Sequence, residues 1–527
     1  MSSRSRQIAQ AAGLVMGAYV ASRVLGLARE MVIARQFGTS AELGAYLAAF
    51  RIPDLIFQLL AGGALGSSFI PVFTVYLARR QRHAAWRLAS VIYSLVAVLT
   101  TFSAVIAFVL TPLLTRWLVP GFDPAMQALT GRLMRIMLLT PIIFGLSGIS
   151  MAVLNAHQHF LLPAIAPALY NLAIIMAAFL LTPFLRVYGL AVGVVVGALL
   201  HLLVQWPALR QKGWRYTPTL EVNFPGVHEV ISLFLPRMLG LGVMQLNFVV
   251  NTVLASGMAA GSLAALNYAF LLMMLPQGVF AMAIATAAFP SFSEMVARQQ
   301  IAELGEALSG TLRAILFLTL PASVGLYVLR YPLIQALLQR GEFTAASTQA
   351  TAWALQFYAL GLPAYAIVEI VSRAFYALHD TRTPVVVAAV TVGLNILLSL
   401  LLIRPLAHGG LALANALAVT VEMLTLLWCL RRRIGAVAEG PLLASAARSL
   451  AASLGMGIGI ALALRVIGER AWWAALGGMV IGVGVYGVLA WALGSREWHA
   501  LGGWVLQRGG QQLRALMRGA SDPRQKE

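Results

Sequence analysis

Apolar residues run along this chain in long blocks separated by short polar breaks. The blocks fall at roughly 8–37, 44–78, 88–118, 128–155, 160–182, 187–209, 229–256, 262–290, 307–330, 350–376, 384–403, 409–430, 441–466 and 472–494. A membrane-spanning helix needs about 20 consecutive apolar residues, so the pattern predicts about fourteen transmembrane helices. Several blocks exceed about 25 residues, which implies tilt or kinks. Pro53, Pro141, Pro236, Pro276 and Pro363 lie inside blocks and mark expected kinks, whose freed carbonyls must face protein or water. The longest weakly apolar stretch, about 211–229, is too short for a soluble domain.

The breaks recur. PVFTVYLAR (Pro71 to Arg79) and PSFSEMVAR (Pro290 to Arg298) both fit P-x-F-x-x-x-x-A-R, at an offset of 219 (290 − 71). Pro112-Leu113 with Gly121 matches Pro332-Leu333 with Gly341 at 220 (332 − 112). Pro141 with His157 matches Pro363 with His379 at 222 (363 − 141), and Pro163 matches Pro384 at 221 (384 − 163). This shift spans six helices, an even number, so the two copies share one orientation, as parallel repeats do. The expected fold is an all-α polytopic membrane protein. It has one six-helix lobe over 1–215, a second over 227–435, two extra helices over 441–494 and a basic tail over 495–527. In the tail, Trp498, Trp504 and Leu506 would anchor an amphipathic surface helix. Two like lobes around a central cleft are a transporter plan, with the substrate near the midplane.

Composition narrows the function. The 527 residues are 60% hydrophobic and only 10% charged, with a mean hydropathy of +0.84, whereas soluble domains are about 25% charged. The net charge of +19 would suit nucleic acid, but its placement argues otherwise. With the N-terminus inside, cytoplasmic segments hold about 20 Lys and Arg and the opposite loops hold 7. This positive-inside bias puts both termini in the cytoplasm and explains most of the charge without nucleic acid. No cleavable signal peptide is expected, because the apolar run behind MSSRSRQ is too long and contains Arg23 and Arg29. The single cysteine, Cys429, excludes an intramolecular disulfide and a Cys-rich metal site. It reads as a packing residue, and His157 and His159 read as solvated loop residues. The chain has 18 acids, no Asp-x-Asp and no ATP-binding motif. A membrane enzyme on lipid phosphates would need clustered carboxylates or a general base, so no catalysis, metal or other cofactor is expected.

Charges inside the apolar blocks carry the candidate chemistry. SRVLGLARE, Ser22 to Glu30, places Arg23 about fifteen residues into its helix, roughly 22 Å along it. An arginine at mid-bilayer costs at least about 2.5–3.5 kcal/mol, so it should face protein or water. Arg23 and Glu30 share one helix face, with Arg29 turned about 120° away. FRIPD, Phe50 to Asp54, adds Arg51 and Asp54 on the second helix. One reading is a cationic cavity for a phosphate-bearing substrate, since the guanidinium fork suits phosphate. The other is a set of Arg–acid pairs that pin two helices without a ligand. Arg237 and Glu422 lie in apolar runs and are further cleft candidates. Glu369 and Arg373, four apart, have the order of a structural helix pair, and Asp380 in HDTRTP reads as a helix cap.

These motifs resemble a known family. SRVLGLAREMVIARQFG, FRIPD, LPAIAPALYN (Leu162 to Asn171), GEFTAAS (Gly341 to Ser347) and FYALHDTRTP (Phe375 to Pro384) are similar to the MurJ/MviN family of lipid II flippases, in register from about residue 8 to 435. The resemblance implies two six-helix lobes plus two C-terminal helices, in the superfamily of MATE drug exporters and polysaccharide flippases. It implies movement of undecaprenyl-pyrophosphate-linked disaccharide-pentapeptide, lipid II, from the inner to the outer leaflet for peptidoglycan assembly. The implied partners are this lipid-linked anionic glycan, membrane lipids and cell-wall synthesis proteins. Arg23 and Arg29 match the family's cavity arginines, Glu30 its acidic position, and Arg51 a position that is often basic. The chain departs from the pattern at Phe57, where an arginine is usual, and at Gly62 and Gly44, where acids are usual. Leu271 and Met274 stand where the eighth helix usually has an arginine and a glutamate. The second lobe therefore contributes less positive charge, unless Arg237 replaces it. The expected substrate-binding set is Arg23, Arg29, Glu30, Arg51, Asp54 and Arg237. A flippase for another undecaprenyl-linked oligosaccharide, a MATE-like drug exporter and a scaffold without a substrate site are the alternatives. Exporters of organic cations would favour acids in the cleft, whereas the first lobe here is net basic.

Overall fold

A computed structural model of the chain describes residues 3–435, 439–467 and 471–499. Trp504, Leu506 and the rest of the tail from 500 on lie outside the described residues. Those described form helices and no strand. In order these are α1 (Ser3–Phe37), α2 (Ala41–Leu60), α3 (Gly63–Ala78), α4 (Arg82–Val109), α5 (Thr111–Leu118), α6 (Pro124–Met137), α7 (Leu139–Ala156), α8 (Leu161–Leu180), α9 (Thr182–Leu185) and α10 (Val187–Leu203). There follow α11 (Trp206–Gln211), α12 (Pro225–Ser256), α13 (Ser262–Pro276), α14 (Met282–Ala297), α15 (Ile301–Leu338), α16 (Ala345–Ala377), α17 (Arg382–Leu406), α18 (His408–Ile434), α19 (Glu439–Ile467) and α20 (Ala471–Ala492).

Twelve stretches among the described residues are long and apolar enough to cross a membrane. The two other expected blocks form α1 and α12, of 35 and 32 residues. Local chemistry sets several boundaries. Ser40 caps α2 by accepting the Leu43 N–H at 3.3 Å, and Asp123 caps α6 by accepting that of Met126 at 3.0 Å, with Pro124 entering the first turn.

The expected kinks are only partly where proline sits. Helical hydrogen bonding runs on through Pro53 and Pro363. The second block instead breaks at Ala61–Gly62, where Gly62 is extended and a Cβ would lie 2.8 Å from the Gln58 carbonyl oxygen. Breaks do accompany Pro141, in the first turn of α7, and Pro276, which precedes a π-helical turn at Gln277–Ala281. A proline inside a helix removes one donor, while a π turn re-registers the whole ladder.

The repeat is written into the backbone. Six described non-glycine residues have positive φ: Arg80, Gln158, Arg186, Gln299, His379 and Ala407, all between 49° and 59°. Such residues are uncommon, yet here they fall into three pairs. Arg80 and Gln299 are 219 apart (299 − 80); Gln158 and His379 are 221 apart (379 − 158), as are Arg186 and Ala407 (407 − 186). Gly213 and Gly435, also left-handed, are 222 apart (435 − 213). The cause is a shared helix ending. After Arg80 the Gln81 N–H donates to the Tyr76 carbonyl, and after Gln299 the Gln300 N–H donates to that of Met295. His159 to Leu154 and Asp380 to Phe375 repeat the same six-to-one bond, which satisfies carbonyls left open by the helix end. The A-R of each P-x-F motif is thus a helix terminus.

Packing divides the chain into two compact units. One comprises Met1–Tyr268, Leu337–Thr351 and Val392–Leu411; the other comprises Ala269–Ala336, Ala352–Thr391 and Ala412–Glu527. Helix α12, which opens the second sequence repeat, packs on α2 and α3 of the first unit. In that unit Phe69, Phe73, Leu88, Val91, Val153, Leu154 and Val227 form a fully buried core. In the other, Phe292, Leu304, Leu312, Ile370, Phe375 and Leu426 form one core, and Phe317, Met456, Ile460 and Tyr486 join α15 to α19 and α20. Large apolar side chains such as Phe102, Val109, Phe184, Val390, Leu401 and Val466 point outward, as a surface in lipid requires.

Candidate functional site

The first unit encloses a cavity of about 400 Å³. Helix α1 lines it with Arg29, Glu30 and Ile33, and α2 with Tyr46, Phe50, Arg51, Asp54 and Phe57. Helix α7 adds Thr140 and Phe144, α8 adds Tyr170, and the first turns of α13 add Asn267 and Tyr268.

Arg29 is held from two sides. Its Nη2 meets Glu30 Oε1 at 2.5 Å, and its Nη1 donates to Asn171 Oδ1 on α8 at 3.0 Å. Asn171 is buried and also donates to the Ser22 carbonyl at 3.2 Å. It therefore ties α8 to α1 and orients the guanidinium. Gly26 lets α8 approach: a Cβ there would sit 3.6 Å from the Asn171 amide nitrogen. Neighbouring residues on a helix point about 100° apart, yet Arg29 pairs with Glu30, one of the Arg–acid pairs that the second reading expected. The long arginine folds back over the carboxylate inside the shared cavity. Arg29 Nε is buried and reaches no hydrogen-bond partner among the described residues.

Arg51 donates from Nε to Thr252 Oγ1 on α12 at 3.1 Å, and its guanidinium lies over the Phe248 ring at 5.4 Å. Asp54 accepts from Gln245 Nε2 of the same helix at 3.4 Å. Helix α12 thus backs the charged face of α2. Phe57, Phe144 and Tyr170 form an aromatic wall of the cavity, with centroids 5.4 Å and 5.2 Å apart along the series.

Of the six expected site residues, the structure brings Arg29, Glu30, Arg51 and Asp54 to one cavity. Arg23 and Arg237 are exposed and do not line it. Arg237 instead donates to Ser67 Oγ at 2.8 Å and to Ser68 Oγ at 3.4 Å on α3. The cavity's two arginines stand against two carboxylates, so the ionisable lining is balanced in formal charge, unlike the net basic cavity expected from sequence. The lining tyrosines and Asn267, and Asn171 beside Arg29, escaped the sequence reading, because polar aromatics in apolar helices look like interfacial anchors or core. Asn171 left one signal: it is the polar end of LPAIAPALYN.

The lesser candidates resolve differently. Glu369 and Arg373 form their pair at 2.8 Å. Asp380 caps α17 by accepting from the Arg382 and Thr383 N–H groups, both at 3.0 Å, and pairs with Arg433. His157 is not a plainly solvated residue: it stacks on Trp86 with centroids 5.4 Å apart and contacts the Val153 carbonyl at 2.9 Å. Burial pushes its pKa below the ordinary histidine value, and Lys212 and Arg82 add to that shift.

A sequence model of the family described as "Lipid II flippase MurJ" matches residues 33–476. The "Probable lipid II flippase MurJ" of Rhizobium tropici is 32% identical over 451 residues, covering 84% of each chain. The "Lipid II flippase MurJ" of Burkholderia cenocepacia is 31% identical over 427 residues, covering 80% of this chain and 83% of its own. A solved structure described as "Lipid II flippase MurJ, inward closed conformation" superposes with a TM-score of 0.80 at 26% identity, over 90% of this chain and 98% of that one. An inward-facing MATE family multidrug transporter of the MOP superfamily superposes with a TM-score of 0.66 at 16% identity, a likeness of fold alone. A chain with this repeat, these intramembrane charges and a family match over most of its length belongs to the MurJ lipid II flippase family.

Proposed function

We propose that this protein moves lipid II from the inner to the outer leaflet of the inner membrane by alternating access, with both termini in the cytoplasm. The observation that carries the reading is Arg29, a guanidinium in a walled cavity with one donor left over, on a helix whose sequence matches the family. Arg29 and Arg51 take the substrate's pyrophosphate. Glu30 and Asn171 hold the Arg29 guanidinium, and Thr252 that of Arg51, while the cavity is empty, and the incoming anion competes with Glu30. Pyrophosphate is the better partner because it brings more charge and fits the guanidinium fork. Arg23 and Arg237, exposed off the cavity, serve the approach of the headgroup. Fluctuation between two lobes, 1–215 and 227–435, would expose the site to each side in turn. The protein performs no bond chemistry in this reading, and the cell-wall synthesis proteins that use the product draw it from the outer leaflet.

Cells depleted of their own lipid II flippase provide the test. Expression of this chain is expected to prevent lysis and restore lipid II exposure outside, while Arg29→Ala, present at equal level in the membrane, does neither. Failure of the unaltered chain to rescue, when it is correctly inserted, would overturn lipid II as substrate and point to another lipid-linked oligosaccharide.

A further inference from the structure

Tyr268 is large, only 1% exposed and lines the cavity, yet its hydroxyl reaches no hydrogen-bond partner among the described residues. A buried hydroxyl without a partner is destabilising, and native proteins keep few of them. The ring is fixed from behind by Phe343, edge to face at 5.6 Å between centroids. The same cavity holds a second orphan donor, Arg29 Nε. Two residues with buried, unsatisfied donors therefore line one cavity: Arg29 on α1, in the first sequence repeat, and Tyr268 on α13, in the second. Helix α13 also carries Leu271 and Met274, where the resemblance led us to expect an arginine and a glutamate.

We infer that the Tyr268 hydroxyl is a substrate-binding donor: it completes the anion site of Arg29 by donating to an oxygen of the bound pyrophosphate. The second repeat then supplies a neutral donor from α13 in place of the missing charged pair. A phenol suits this place better than a new charge. It adds no positive charge to a cavity whose formal charges already cancel, and it needs no buried counter-ion while the site is empty. It also discriminates by geometry, because a donor on a stiff, packed ring contributes only when an acceptor reaches its fixed position. This assignment rests on the reading of the cavity as a pyrophosphate site.

Tyr268→Phe removes the hydroxyl and nothing else. Purified protein in nanodiscs would be titrated with lipid II, with thermal unfolding measured in its absence and presence. Without substrate, the variant is expected to melt no lower than the parent, since an unsatisfied group is gone. With lipid II, affinity is expected to fall roughly tenfold, in the range of one hydrogen bond to a charged acceptor, and the substrate-induced rise in Tm to shrink with it. Arg29→Ala is the companion. If Arg29→Ala abolishes binding while Tyr268→Phe binds as the parent does, the role of Tyr268 is refuted and the site stands. If neither variant affects binding, the cavity is not the pyrophosphate site and both readings fail. A variant that melts lower and binds normally would make Tyr268 a packing residue only.

Discussion

Asn171 shows what a single side chain contributes here. Its carbonyl oxygen takes one Arg29 donor and its amide holds the Ser22 carbonyl, so it sets where the guanidinium sits. Asn171→Ala is expected to cut transport by roughly tenfold, the cost of one charge-assisted hydrogen bond, with little change in the amount of folded protein. Transport assayed against membrane abundance checks this. His157 bears on stability instead. Its lowered pKa means that the folded chain binds fewer protons than the unfolded one as pH falls through the ordinary histidine value, about 6.5. Its contribution is therefore neutral above that value and increasingly unfavourable below it. Melting at pH 7.5 and 5.5 should show a drop on acidification that His157→Asn reduces. The charged residues of this scale were legible in the sequence because each is costly in an apolar run. Pairing with acids was legible as one of two readings; that Arg29 takes its own neighbour Glu30 was not, since adjacent residues on a helix diverge.

At the scale of elements, the helix ends and loops are where the fold is specified. The A-R ending of both P-x-F motifs was visible as a repeat in the sequence, and the structure explains it as a left-handed helix stop. The break at Ala61–Gly62 was not visible, because Pro53 is the louder signal and the glycine that ends the helix is one of 47. In the first unit, loops from both sequence repeats meet at glycines. Gly38, at φ 55°, leaves room for the Glu342 carbonyl, from which a Cβ would be 2.2 Å away. Gly261, at φ 91°, does the same for the Thr39 carbonyl at 2.3 Å. Beside them the Thr39 and Ser347 hydroxyls touch at 2.9 Å. Under the proposed alternating access, this junction would part in each cycle. A Thr39→Cys, Ser347→Cys pair in a Cys429→Ser background should cross-link on oxidation, stop transport and recover on reduction. Undiminished transport by the cross-linked form would show that this junction stays closed throughout. Gly38→Val, added to the same cysteine pair, is expected to impair the closed junction, seen as a loss of cross-linking on oxidation.

For the whole molecule, hydropathy and the repeat made the architecture readable from sequence: an all-helical membrane chain of two like halves and two added helices. How helices group in space was less readable, because α12 opens the second repeat yet packs with the first unit. Side chains from both sequence repeats line one cavity there. In the proposed function this cavity carries lipid II across the membrane through Arg29. The most direct measurement is flipping by purified protein in proteoliposomes loaded with lipid II, counting the molecules that become accessible on the far side with time. The account predicts protein-dependent flipping that Arg29→Ala abolishes and Arg29→Lys only partly restores, since an ammonium lacks the guanidinium fork. Flipping no faster than in empty liposomes, or as fast with Arg29→Ala as without it, would contradict it.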